Sequence, residues 1–160
     1  MTTARKSSKP QEATAMLRAD HARVSALFGM YEKSRSVDKK KDLLRSICRE
    51  LRVHTEIEET IFYPAVQGAL EDHELVPEAN VEHATIKGLI AQVEDGEPGS
   101  DDFEAKVKVM SEYVKHHVKE EHTEMFPKAR KTKLDLRTLG AEMAHRKAQL
   151  MATNRIRVPE

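Results

Sequence analysis

One fifteen-residue pattern occurs twice in this chain. The segment RVHTEIEETIFYPAV (52–66) aligns without gaps on KHHVKEEHTEMFPKA (115–129), pairing His54 with His117, Glu58 with Glu121, Thr60 with Thr123 and Pro64 with Pro127. Upstream, Asp20-His21 matches Glu82-His83; His21 precedes His54 by 33 residues and His83 precedes His117 by 34. Each half therefore reads as an acid and a histidine, a long spacer, His-x-x-x-Glu, then an aromatic residue and Pro. His-x-x-x-Glu puts both side chains on one face of a helix, one turn apart. What matters next is which face that is.

Hydrophobic spacing answers it. Leu17, His21, Val24, Phe28 and Tyr31 follow at steps of three and four, the mark of one helix face, in a helix expected from Gln11. After a break at Ser34–Val37, with Asp38 as the expected cap, a long stripe holds Leu43, Ile47, Leu51, His54, Glu58, Ile61 and Ala65. A third holds Val76, His83, Ile86, Ile90 and Val93 and ends in the loop EDGEPGSDD (94–102). The fourth holds Phe103, Val107, Met110, Val114, His117, Glu121 and Met125. Four such helices with short connections pack most simply as an all-α, up-down-up-down four-helix bundle over residues 11–130. A polar tail (1–10) is expected to be disordered. Residues 131–160 are expected to form an additional short C-terminal amphipathic helix (Leu136, Leu139, Met143, Leu150) with a free end, either capping the bundle or making a homodimer contact.

Charge and cysteine content narrow the partners. Lys+Arg and Asp+Glu are both 27, so no global field favours nucleic acid or an anionic membrane surface. No run approaches the ~18 apolar residues of a membrane helix, and no secretory leader is visible at the N-terminus, so a reducing cytoplasm is the expected location. The single cysteine, Cys48, excludes an internal disulfide and any cysteine-rich metal site within one chain; it reads as a small core or interface residue.

The repeated His and Glu lie on the apolar stripes, so all six point inward: His21, His54, Glu58, His83, His117 and Glu121. Ionised carboxylates in an apolar core are very costly unless paired or bound to a cation. No Lys or Arg lies on these stripes beside them, which makes a metal the natural counter-charge. Six ligands crowd one ion but suit two, each taking two imidazoles, with Glu58 and Glu121 as bridges. Imidazole and carboxylate without thiolate suit iron first, with manganese or zinc as alternatives. A lone His-x-x-x-Glu is usually a surface pair worth about 0.2–0.5 kcal/mol; two gap-free copies on core stripes are a different matter. A ferritin-like site needs two inward Glu-x-x-His motifs, and this chain has a single such pair, Glu142 with His145. The remaining histidines, His73, His116, His122 and His145, read as solvated, and Phe28 and Tyr31 as core.

Asp20-His21, His54-Thr-Glu-Ile-Glu58, Glu82-His83 and His117-Val-Lys-Glu-Glu121 together resemble the hemerythrin-like HHE cation-binding domains, over about residues 14–129. The resemblance implies a four-helix bundle with a non-haem di-iron centre, oxo- or hydroxo-bridged, that meets a small diatomic ligand or peroxide. It departs from the oxygen-carrying hemerythrins at Lys87, where those place a further His, and at Glu121, where they use an Asp one position later. The pattern is nearer to the four-His, two-Glu type of stress-linked relatives, and fewer imidazoles favour reaction over reversible oxygen storage. The function this implies is binding of, or catalase-like reaction with, dioxygen, peroxide or nitric oxide in redox or iron stress. The alternative is a metal-binding sensor or iron-storage module without turnover.

Overall fold

The computed structural model describes residues 11–156; the expected disordered tail (1–10) and the last residues of the expected free end (157–160) lie outside the described residues. Among the described residues every regular element is helical: α1 (Ala13–Lys33), α2 (Val37–Ile57), α3 (Tyr63–Ala69), α4 (Leu75–Val93), α5 (Asp101–Glu120), α6 (Phe126–Arg130) and α7 (Leu136–Ile156). α2 runs into α3, and α5 into α6, through five-residue π-turns at Glu58–Phe62 and Glu121–Met125. The result is four antiparallel bundle helices with a fifth packed on them, α1 against α2, α4 against α5, and α7 against α1 and α2. No described helix is long and apolar enough to cross a membrane.

Local sequence accounts for the boundaries. α2 starts two residues earlier than the Asp38 cap implied: Ser36 is the cap, its Oγ accepting the Lys39 N–H at 3.3 Å, and Asp38 falls in the first turn, where a negative charge suits the helix dipole. Ser100 caps α5 in the same way. The π-turns arise from the two prolines. Pro64 and Pro127 offer no N–H to the carbonyl four residues back, and their rings clash with it. The chain adds a residue to the turn instead, so the Tyr63 N–H reaches the Glu58 carbonyl and the Phe126 N–H the Glu121 carbonyl.

The apolar core is divided in two. One cluster includes Leu17, Ile57, Phe62, Val66, Met125, Phe126 and, from α7, Met143; the other includes Val24, Phe28, Tyr31, Ile47, Cys48, Leu51, Ile86, Ile90 and Met110. Each inward histidine falls between members of the two clusters, as His54 does between Leu51 and Ile57. The bundle is thus two oily layers with a polar one between them.

The fifth helix is not short. It has 21 residues, as many as α1, because its helical turns continue past the last apolar residue of the stripe, Leu150. Leu136, Leu139, Met143 and Leu150 all lie against the chain's own core. Gly140 permits that contact: a Cβ there would stand 2.2 Å from the Gln11 carbonyl oxygen, with backbone on every near side. Gly140→Leu is expected to push α7 off the start of α1 and lower stability by about 1–3 kcal/mol, the usual range for overpacking. Thermal unfolding of the two proteins measures it, and an unchanged midpoint would mean that α7 does not dock this way.

Candidate metal centre

All six inward residues lie in the polar layer, none more than 7% exposed. They form two four-residue groups, His21–His54–Glu58–Glu121 and His83–His117–Glu58–Glu121, in each of which the potential ligand atoms lie within 4.8 Å of one another. Both carboxylates belong to both groups. The Nε2 atoms of His21 and His54 face each other at 3.0 Å, as do those of His83 and His117.

The opposite edge of each imidazole is held from outside. His54 Nδ1 donates to Asp20 Oδ2 at 3.2 Å, His117 Nδ1 to Glu82 Oε1 at 3.1 Å, and His83 Nδ1 to Glu59 Oε2 at 3.1 Å. An ionised carboxylate only accepts, so it fixes the proton on Nδ1 and leaves a lone pair on the inward Nε2. His21 Nδ1 pairs with His122 Nε2 at 2.8 Å instead. Behind these partners stand lysines: Lys147 of α7 lies 2.5 Å from Asp20 Oδ1, and Lys87 lies 2.7 Å from Glu59 Oε1. Neither lysine pairs with Glu58 or Glu121.

The centre of the layer is therefore a convergence of acceptors. Glu58 Oε1 comes within 2.5 Å of His54 Nε2, and Glu121 Oε1 within 2.6 Å of His117 Nε2. Yet all four oxygens of the two carboxylates are buried without a partner of hydrogen-bonding geometry. Buried polar atoms are normally satisfied; lone pairs from two sides at this spacing call for cations between them. The donor set fits two divalent or trivalent ions of the iron, manganese or zinc kind, with imidazoles braced from behind as metal ligands commonly are.

Without metal, protons stand in. Burial and the Glu58 charge raise Glu121 to about 8. Burial works against a charged His54, but the Glu58 carboxylate and the hydrogen bond to Asp20 overcome it and raise the ring to about 10. Burial and the neighbouring His54 hold His21 down near 2.

Besides Glu59, two residues near the centre escaped the sequence reading. His122 is not solvated: it is half-buried against His21 and the Phe126 ring. Its place next to Glu121 in the repeat, opposite Glu59 in the other copy, was the available signal. Tyr63 is 1% exposed, and its Oη lies 3.1 Å from His83 Nε2 and 3.2 Å from His117 Nε2. In an unbroken α-helix, at about 100° per residue, a side chain five positions after Glu58 would point about 140° away from it; the π-turn swings it back. The signal was the aromatic-Pro pair in each copy. His73, His116 and His145 are exposed, as expected. Phe28 and Tyr31 belong to the apolar cluster, with the Tyr31 hydroxyl turned to Glu104.

A helical bundle whose core holds two His-pair groups joined by shared carboxylates is, as a class, a cation-binding bundle with a candidate dinuclear site. The hemerythrin HHE cation-binding domain model matches residues 12–129, and the chain belongs to that family. Its fold is similar to the crystal structure of a hemerythrin HHE cation-binding domain-containing protein from Mycobacterium kansasii, with a TM-score of 0.78 and 22% identity over 89% of each chain. It is also 27% identical over 111 residues to a DNA nickase from Nostoc; the match takes in 69% of this chain, which spans 31% of that relative's length.

Metal and proton compete for the same atoms, so loading the metal-free protein should release protons, and apparent affinity should climb with pH through about 8 and about 10, where Glu121 and His54 lose theirs. Titration calorimetry in two buffers of different ionisation enthalpy measures the release. The metal-free fold has the opposite dependence. With its pKa raised from 6.5, His54 contributes stability that is complete below 6.5 and lost as pH rises through about 10.

Proposed function

We propose that this chain is a cytoplasmic non-haem di-iron protein whose centre binds or reacts with dioxygen, peroxide or nitric oxide in redox or iron stress. The supporting observation is the pairing of the shared-carboxylate cluster with a cavity of about 20 Å³ beside it. His21, His54, His83 and His117 line that cavity, walled by Val24, Leu51, Ile86 and Val114. One water needs about 10–15 Å³, so the space suits a molecule of no more than about two heavy atoms. Organic ligands usually occupy about 300–1,000 Å³. Larger clefts, such as the one of about 430 Å³ between Ala69–Asp72 and Lys128–Thr132, contain none of the six residues.

Iron bound here would supply Lewis acidity and exchangeable electrons to such a ligand. The chain's own residues set the conditions. Asp20, Glu59 and Glu82 orient three imidazoles and raise their basicity. Glu58 and Glu121 supply two negative charges in a site without bulk water, and the apolar walls keep it dry. Lys147 supports a second reading, a sensor without turnover, because it links the centre through Asp20 to a helix beyond the family-matched residues.

Protein made in iron-replete cells should carry about two irons per chain. Glu58→Ala and Glu121→Ala should each lose both, since each carboxylate belongs to both groups, whereas His73→Ala and His145→Ala should retain them; metal analysis by mass spectrometry decides. Adding hydrogen peroxide to the ferrous protein separates the two readings. Sustained oxygen evolution means an enzyme, and a single stoichiometric oxidation means a sensor or carrier.

A further inference from the structure

The two halves of the centre are not equivalent where the repeat leaves the six shared residues. The aromatic position before each proline is Tyr63 in one copy and Phe126 in the other. Phe126 lies parallel to the His21 ring, with centroids 6.0 Å apart, and offers no donor atom. Tyr63 turns its hydroxyl to the other histidine pair. His83 Nε2, His117 Nε2 and Tyr63 Oη form a triangle with sides of 3.0, 3.1 and 3.2 Å. Donors about 2.1 Å from one ion and at right angles to one another stand about 3.0 Å apart, so the three atoms already have the spacing of one face of a coordination sphere.

Hydrogen bonding leads to the same place. Glu59 and Glu82 fix the protons of His83 and His117 on Nδ1, so both Nε2 atoms are acceptors, and the Tyr63 hydroxyl has one proton to offer them. An ion on those two lone pairs takes away both of its acceptors. The hydroxyl is fully buried, so its nearest remaining partners are the ion itself and the carboxylates that face the ion.

We propose that Tyr63 is a further metal ligand, its phenolate oxygen binding the ion held by His83 and His117. The inference rests on the dinuclear reading above. On binding, the Tyr63 O–H bond breaks, an oxygen–metal bond forms and the proton leaves to solvent; the metal keeps its oxidation state. One ion then has a protein phenolate and its neighbour none. The position left for a small molecule is then on the ion held by His21 and His54, both of which line the small cavity.

The test uses the full chain loaded with ferrous iron and oxidised by air. A phenolate on ferric iron gives a visible charge-transfer band and, on excitation in that band, resonance-enhanced tyrosinate ring vibrations. The unmodified protein should show both, and the vibrations should shift when it is made with ring-deuterated tyrosine. Tyr63→Phe should keep two irons per chain and lose the band and the vibrations. The deuterium shift requires no variant, so it holds even if Tyr63→Phe fails to fold. Two irons per chain without tyrosinate vibrations in the unmodified protein would overturn the ligand assignment and leave the dinuclear reading standing; Tyr63 would then be a phenol donating to Glu58 or Glu121. No iron retained would overturn both.

Discussion

Two carboxylates face one another in the dry middle of this bundle, and the inward lone pairs of imidazoles face them in turn. Everything around the layer follows from the need to make that arrangement tolerable. Four of the six residues lie on α-helices and two on π-turns, so the electrostatic demand is shared among all four bundle helices. A cation between the groups converts mutual repulsion into a cross-link. The same cluster without one must hold protons, which is why Glu121 and His54 move so far from their ordinary values.

The internal repeat places equivalent atoms on opposite sides of this layer, and its departures are as informative as its matches. Asp20 and Glu82 do the same work on His54 and His117. The position after each shared glutamate holds an acid in one copy, Glu59, and a histidine in the other, His122. The pair held by His83 and His117 is therefore flanked by more negative charge, and by a hydroxyl that the other pair lacks. The two halves share a sequence pattern and a π-turn each, yet are chemically unlike outside the six common residues.

The four inward helices and the six buried residues were legible because apolar steps of three and four continue through His21, His54, His83 and His117, and because burying Glu58 and Glu121 has so few physical solutions. The remainder was hidden by geometry that no regular period describes. A π-turn changes the register by one residue, so Tyr63 and Phe126 fall off the stripe on paper and onto it in space. His122 reaches α1 from beside the stripe, across an interhelical gap that spacing along one helix does not report. The length of α7 was underread because the stripe of Leu136, Leu139, Met143 and Leu150 stops before the helix does at Ile156, and the close approach of Gly140 to the start of α1 depends on a contact 129 residues away in the chain.

Lys147 gives α7 a role beyond covering an apolar face. Its ammonium group grips one oxygen of Asp20 while the other oxygen holds the His54 ring, so a helix outside the family-matched segment is wired to the innermost layer by a chain of three side chains. Thermodynamic coupling of this kind is reciprocal. A coupling through Asp20 would therefore run both ways: a ligand that changed the hold on His54 would change the attachment of the C-terminal helix by the same free energy. The tail of the chain is thereby a handle on its heart.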